Sequence, residues 1–205
     1  MIKKLTTFIF ILIATCVQAQ EENVFKPHIY IGVVTSQVGG DRYAGFNKLG
    51  FQGGLGVKTK FSETIGLGMD IGYIQKGSRK VARPKVNDFS FYRMSIHYVE
   101  LPVYMTYYQD RFSFDVGLSV AFLLKSSEET EVGFASEDDF GPFNDLDFSF
   151  LLGFEYDLND RWKFQTRFSN SFIPFRDFEG DPIGPIQAGQ YHSVLMFKII
   201  RQIAQ

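Results

Sequence analysis

Strict alternation of apolar with small or polar residues is the feature that most constrains how this chain can fold. In the segment 66–73, which reads GLGMDIGY, Leu67, Met69 and Ile71 alternate with glycine and aspartate. Because successive side chains of a β-strand point to opposite faces, this segment predicts a strand with one apolar face and one small, polar face. The two faces of the sheet therefore meet different surroundings.

Similar segments recur along the chain and predict strands at 28–37, 49–60, 64–76, 92–108, 111–124, 146–157, 161–173 and 189–200. Each is long enough to cross a membrane as a tilted strand, which takes about 9–11 residues. The tight turns at 61–63, 109–110 and 158–160 alternate with the long loops 38–48, 77–91, 125–145 and 174–188. This pattern is typical of an all-β, eight-stranded antiparallel up-and-down transmembrane β-barrel, with periplasmic turns and extracellular loops.

Aromatic residues make up 17% of the chain and gather near the predicted strand ends. They predict two interfacial girdles. The girdle at the short-turn end contains Tyr107, Phe112, Tyr156 and Trp162, and the girdle at the loop end contains Tyr73, Tyr92, Phe122, Phe148 and Phe172. A soluble, lipocalin-like barrel that binds a ligand is the alternative, with its apolar face inside. The many glycine, serine and alanine residues on the polar face favour a narrow barrel interior instead.

The first nineteen residues are predicted to be a signal peptide, which leaves an outer-membrane barrel domain over 20–205. Lys3 and Lys4 precede the apolar segment 8–14, and the segment 17–19 is a small-x-small cleavage site. Export of a β-barrel predicts the bacterial outer membrane as its location. Lipidation of Cys16, in place of cleavage after Ala19, stays open as the alternative.

Two short segments resemble a known family. The segment 98–104 reads YVELPVY and the segment 73–78 reads YIQKGS. Both resemble strand segments of the outer-membrane β-barrel domain of Bacteroidetes proteins, the PorT-like group. The resemblance implies an eight-stranded outer-membrane barrel and brings no catalytic residue with it. Some members of that group are linked to the secretion of other proteins, a role that membership alone does not carry over to this chain.

Charged residues of both signs occupy the polar face of the predicted strands. They are Lys58, Asp70, Glu100, Asp115, Glu155, Lys163, Arg167 and Lys198. A barrel of eight strands is just wide enough to be filled by side chains, and buried charges are unfavourable unless they are paired. The pattern predicts a structural ion-pair network inside the barrel, with a narrow proton or ion path as the alternative. Pro102, which lacks an N–H group, predicts a local bulge that re-aims Glu100.

Two predicted extracellular loops carry opposite charges. The loop 77–91 contains Arg79, Lys80, Arg83 and Lys85, and the loop 125–145 contains Glu128, Glu129, Glu131, Glu137, Asp138 and Asp139. We expect them to attract each other across the barrel mouth as a weak, salt-sensitive cap, because exposed ion pairs contribute only about 0–1 kcal/mol each. The alternative is two separately solvated loops.

The sequence predicts a monomeric, non-enzymatic membrane protein with a structural, adhesive or secretion-accessory role. Its predicted partners are outer-membrane lipid and a protein that contacts the extracellular loops. A net charge of −2 argues against nucleic acid, and no pattern predicts a cofactor, a metal or a catalytic residue. One alternative is a small pore. The other is a lipid-modifying enzyme, for which His97 and Ser95 on one strand face are the candidates, because a triad would need a histidine beside a nucleophile.

Overall fold

The computed structural model describes residues 25–41, 45–82, 84–131, 133–134, 141–177 and 189–203. Ten strands and one short 3-10 turn, at Pro84–Val86, lie within them. The strands are β1 Phe25–Gly39, β2 Lys48–Lys60, β3 Ile65–Lys80, β4 Tyr92–Gln109, β5 Phe112–Thr130, β6 Gly133–Phe134, β7 Leu146–Asp157, β8 Trp162–Ser171, β9 Arg176–Asp177 and β10 Gly189–Gln202. In this described part of the chain, no helix is long and apolar enough to cross a membrane.

The eight long strands form a closed antiparallel ring. Each pairs with its neighbours in chain order, from β1 through β5 to β7, β8 and β10. The last strand then pairs with the first, from His28↔Gln202 to Gly39↔Tyr191. Closure leaves the ring without a free edge, as a sheet in lipid requires, because the bilayer core offers no hydrogen bonds to an unpaired backbone. The predicted eight-stranded up-and-down barrel is confirmed.

The two faces of the sheet lie as the alternation predicts. On β5, Phe114, Val116 and Leu118 are exposed, whereas Ser113 and Asp115 are buried. The apolar face is therefore the outer face, the reverse of the arrangement in a soluble lipocalin-like barrel. Predicted girdle residues on the outer face include Tyr107, Phe112, Trp162, Phe122 and Phe172.

Strands β3 and β5 are longer than the sequence predicts. Because β3 ends at Lys80 and β5 ends at Thr130, Arg79, Lys80, Glu128 and Glu129 lie on strands and not in loops. The ladders of β4 with both neighbours continue to Tyr92, past the point where apolar alternation stops. A backbone ladder can extend beyond the lipid, where the outward side chains are no longer required to be apolar.

Two further local predictions are wrong. The predicted bulge at Pro102 is absent, because the register of β3 with β4 is the same on both sides of it, with Gly72↔Glu100 and Met69↔Val103. The ladder between β3 and β4 has no partners between these two pairs, because proline has no N–H group. The irregularity lies between His97 and Tyr98, in the pairing of β4 with β5. Tyr92, predicted in the outer girdle, is buried inside the barrel.

Introducing a charge at the middle of the outer face should destabilise the barrel more than the same change near its upper edge. Leu118 and Leu124 are both 58% exposed and lie on the same strand, so they form a matched pair. We expect Leu118→Arg to cost about 2–4 kcal/mol and Leu124→Arg about 0–1 kcal/mol, because the penalty falls with distance from the bilayer midplane. Urea unfolding in lipid vesicles measures both, and equal losses would contradict the depth assigned to β5.

Candidate functional site

The barrel interior holds buried charges of both signs, which alternation along the strands directs inward. All eight of the predicted interior residues are buried. Lys76 and Asp147 join them, so that the interior cations are Lys58, Lys76, Lys163, Arg167 and Lys198 and the carboxylates are Asp70, Glu100, Asp115, Asp147 and Glu155. These five cations and five carboxylates are equal in number.

The first ion-pair group lies nearest the short turns. Glu155 on β7 contacts Lys58 Nζ at 2.8 Å and Lys163 Nζ at 3.1 Å. Gln165 donates a hydrogen bond of 3.2 Å to the same carboxylate. Because Lys58 lies on β2, this group joins opposite walls of the barrel.

The second group is centred on Arg167 of β8. Its guanidinium contacts Asp70 at 3.3 Å and Asp115 at 3.4 Å, and it lies 4.4 Å from the centre of the Tyr104 ring. Tyr104 donates a hydrogen bond of 2.8 Å to Asp70, and His28 Nε2 lies 3.2 Å from the same carboxylate. Asp70 is therefore held from three sides, which satisfies a charge that burial alone would disfavour.

The third group lies nearer the loops. Lys76 on β3 contacts Glu100 at 2.9 Å and Asp147 at 3.1 Å. Ser171 donates a hydrogen bond of 2.6 Å to Asp147. Lys76 and Asp147 are not among the predicted interior residues. A signal for them exists, because each lies an even number of residues from a predicted inward position on its own strand, Asp70 for Lys76 and Glu155 for Asp147.

Above the third group the interior becomes apolar and is closed by Phe175. This residue follows β8, and its ring stacks on His192 with ring centres 3.9 Å apart. Its backbone N–H donates a hydrogen bond of 2.9 Å to the carbonyl of Gln190. The apolar cluster around it comprises Val34, Val38, Ile74, Tyr92, Met94, Ile96, Tyr98, Ala121, Val194 and Met196. No periodic signal in the sequence predicts that Phe175 enters the barrel.

A buried ion pair fixes the segment that carries Phe175. Arg176 on β9 contacts Glu128 on β5 at 2.7 Å, and the hydroxyl of Tyr92 donates a hydrogen bond to the same carboxylate. Asn144 adds a backbone hydrogen bond of 2.7 Å to the carbonyl of Phe175. These contacts close the loop end of the barrel from within.

The charged residues assigned to the two loops lie in different surroundings. Arg79 faces outward opposite Arg93, and Glu128 faces inward. Lys80 contacts Asp88 at 3.1 Å, and hydrogen bonds from Ser90 and from Lys80 lower the pKa of Asp88 to about 2. Arg83, Glu137, Asp138 and Asp139 lie outside the described residues. Pairing between the two charged segments, which is also predicted to involve Lys85, Glu129 and Glu131, stays a prediction.

The histidines occupy three separate environments. His97 lies on the outer wall and forms a hydrogen bond through Nδ1 with the hydroxyl of Tyr73. In the part of the chain that the structure describes, no carboxylate forms an ion pair with His97. His28 has a carboxylate neighbour, Asp70, but this pair is buried in the ion-pair network. The described residues contain no cluster of three or more metal-binding side chains.

An open cavity of about 900 Å³ lies at the short-turn end. Its lining includes Lys26, Lys58, Lys60, Tyr108 and Lys163. Lys58 and Lys163 are also the cations that hold Glu155, so the cavity ends at the first ion-pair group. The interior is thus bounded by ion pairs at this end and by Phe175 at the other.

A closed barrel with an apolar outer wall and a polar interior is the structure expected of an outer-membrane barrel, and the sequence matches a family of this kind. Residues 17–177 match the family model described as the outer membrane protein beta-barrel domain. The chain belongs to this family. Membership assigns the barrel to the bacterial outer membrane. No curated protein sequence gives a significant match to the chain.

Solved structures of outer-membrane barrels share the fold. Neisserial surface protein A is 7% identical with a TM-score of 0.54, and the match covers 86% of this chain and 97% of that one. Ail, the attachment invasion locus protein of Yersinia pestis, in complex with the heparin analogue sucrose octasulfate, is 12% identical with a TM-score of 0.50. That match covers 87% of this chain and 99% of Ail. At these identities the likeness concerns the fold alone.

Removing Lys76 should destabilise the barrel strongly. The variant Lys76→Met leaves Glu100 and Asp147 buried without their shared cation, and we expect a loss of about 3–5 kcal/mol in the free energy of unfolding. Adding Asp147→Asn should recover part of the loss, since it removes one of the two carboxylates left unpaired. Urea unfolding in vesicles measures the effect. Lys125→Met is the control, because this exposed lysine has no described ion pair; equal effects of the two lysine variants would contradict the interior network.

Proposed function

We propose that this protein is a closed, non-enzymatic barrel that acts through its extracellular surface and not through a channel. The observation that carries the proposal is the filled interior. Three ion-pair groups, centred on Glu155, Arg167 and Lys76, are followed along the axis by the apolar cluster beneath Phe175. An ion that crossed this interior would have to separate buried pairs, and breaking such a pair costs several kcal/mol.

The proposed role is structural, adhesive or secretion-accessory, with a protein partner at the extracellular loops and the barrel acting as a monomer. Strand extension supports it, because β3–β4 and β4–β5 carry backbone ladders to Lys80 and Thr130, beyond the apolar band. Such ladders hold the loops on a rigid base. Ail, an attachment protein by its name, has the same fold. The pairing of oppositely charged loops across the mouth remains part of this proposal.

Membership of the PorT-like group of Bacteroidetes proteins is the finer family assignment we propose. The two resembling segments, 73–78 and 98–104, lie on the adjacent strands β3 and β4. They are joined inside the barrel by the Lys76–Glu100 ion pair of 2.9 Å, and the Tyr98 ring lies 5.3 Å from the same ammonium group. A shared structural contact therefore accounts for both segments.

The signal peptide over residues 1–19 is also part of the proposal, with the mature chain beginning at Gln20. Mass spectrometry of the protein purified from outer membranes tests it. A mass that corresponds to residues 20–205 supports cleavage after Ala19, whereas a lipid-modified Cys16 at the amino terminus would replace it.

The purified barrel should give no steady single-channel steps in a planar lipid bilayer. The physical reason is the filled interior, which leaves ions no path past the Arg167 group. A porin reconstituted in the same way is the positive control for the measurement. Reproducible unitary steps from the folded, heat-modifiable protein would contradict the closed barrel and favour the small pore.

Loss of the Arg176–Glu128 contact should loosen the closure of the mouth. In Glu128→Gln we expect the backbone amides of Phe175 and Asn144 to exchange with solvent about tenfold faster or more, because hydrogen bonds to charged groups contribute about 1.5–3 kcal/mol. Hydrogen exchange read by mass spectrometry gives the rates. The matched control is Glu129→Gln, since Glu129 is the next residue and faces the other side of β5. Unchanged exchange at Phe175 in Glu128→Gln would contradict the closing role of this pair.

A further inference from the structure

A group of cations lies on the outer wall of the barrel, directly above the apolar band. The outward positions are apolar or aromatic up to Tyr73 on β3, Val99 on β4 and Leu124 on β5. Tyr73 and Val99 lie opposite each other in the ladder. The next outward positions toward the loops are polar. They include four basic side chains, Arg79, Arg93, His97 and Lys125.

The strand register arranges these outward positions in three rows across β3, β4 and β5. The lower row is Gln75, His97 and Lys125; the middle row is Gly77, Ser95 and Ser127; the upper row is Arg79, Arg93 and Glu129. Neighbouring strands are about 4.8 Å apart and successive rows about 7 Å apart. Long basic side chains in the lower and upper rows therefore flank a middle row of small residues from both sides.

The middle row forms the floor of a shallow recess. Gly77 has a φ of 144°, a conformation that favours glycine, so no side chain projects from the floor at this position. Ser95 is buried, and the hydroxyl of Ser127 donates a hydrogen bond of 3.5 Å to the carbonyl of Ser95. We define the recess and its two flanking rows as the cationic band.

The arginines and the lysine of this band form no ion pair with a described carboxylate. In the described residues, neither Arg79, Arg93 nor Lys125 has a carboxylate oxygen within 4.0 Å. The one acidic side chain in the three rows is Glu129, opposite Arg93 in the register. This differs from the barrel interior, where each group of cations is matched by carboxylates.

Lys48, a buried lysine at the start of β2, lies close enough to feel the charges of this band. Burial and then the charges of Arg93 and Arg79 disfavour the cationic form of Lys48, and burial and then the charges of Lys48 and Lys125 disfavour the cationic form of His97. All of these interactions are repulsive between the cationic forms. A bound anion would relieve this repulsion, and arginine is the side chain best suited to hold a phosphate group through two parallel hydrogen bonds.

We propose that the cationic band binds the phosphate groups of outer-leaflet lipid, the phosphorylated head of lipopolysaccharide. The height of the band supports this partner. The apolar outward run on β3 spans Ile65 to Tyr73; at about 3.4 Å per residue and a tilt of about 40°, it covers about 20 Å, close to the apolar band of about 25 Å that outer-membrane barrels present to lipid. The cations above it therefore lie at headgroup level and face the membrane sideways.

This inference concerns the outer wall and is independent of the proposed role of the loops. A soluble partner would approach the barrel from above, toward the loops. A lipid headgroup meets the wall from the side, where Arg79 and Arg93 are exposed.

The experiment measures lipopolysaccharide binding to the mature, full-length barrel in phosphatidylcholine nanodiscs by native mass spectrometry. We expect Arg79→Gln/Arg93→Gln to bind purified lipopolysaccharide at least about tenfold more weakly, because each basic residue near an anionic lipid surface contributes roughly fivefold. The matched control is Arg111→Gln/Arg161→Gln, which removes two exposed arginines at the short-turn end. Heat-modifiability verifies that each variant is folded.

Two further probes identify the source of the bound anion. Dephosphorylated lipopolysaccharide should bind the parent and the double variant equally weakly. The proposal is overturned if the double variant binds intact lipopolysaccharide as tightly as the parent, or if removing the phosphates does not weaken binding to the parent. A third probe is soluble sucrose octasulfate. The proposal is also overturned if the double variant binds sucrose octasulfate more weakly than the parent but binds lipopolysaccharide equally well, since the band would then hold a soluble sulfated sugar.

Discussion

The pairing of β1 with β10 is the constraint on which the rest of the structure depends. In the bilayer core an unpaired backbone N–H or carbonyl has no water to bind, so the sheet must close on itself. Closure with eight long strands produces a barrel so narrow that its inward side chains fill it. Every inward charge must then find a partner within reach, and the groups centred on Glu155, Arg167 and Lys76 meet this requirement.

The same closure separates two kinds of chemistry by height. Inside, the three ion-pair groups occupy the portion nearer the short turns, and apolar side chains such as Ile96 and Met94 occupy the portion beneath Phe175. Outside the order is reversed, because the apolar wall gives way near Tyr73 to the basic residues Arg79 and Arg93. The interior is thus ion-paired and closed, whereas the exterior carries the cationic band above its apolar wall. In the function proposed above, the interior holds the outer surface in the shape that a partner would contact.

Much of this architecture follows from the sequence, because successive residues of a strand face opposite sides of the sheet and the two sides here differ in polarity. Alternation located all eight long strands and directed Asp70, Asp115 and Arg167 inward, and its continuation along β3 reaches Lys76. Alternation does not show which inward charges meet, since that depends on strand tilt and on contacts across the barrel. The ends of β3 and β5 do not follow from the sequence, because the ladders continue where the lipid no longer selects apolar residues. Tyr92 is different, because it lies an even number of residues from Glu100 and alternation therefore directs it inward. The burial of Phe175 could not be predicted, because no local sequence pattern shows that the segment after β8 enters the barrel mouth.

The buried ion pairs connect strands that are distant in sequence. Lys58 and Glu155 are 97 residues apart, as are Asp70 and Arg167. Neither pair can form until the second half of the chain has joined the first, and contacts of this range form slowly because a long loop must close first. Insertion of the first strands alone would leave Lys58 without Glu155 and Asp70 without Arg167 in lipid. The ion-pair network therefore makes completion of the ring and entry into the membrane a single cooperative event, and it disfavours any half-assembled barrel.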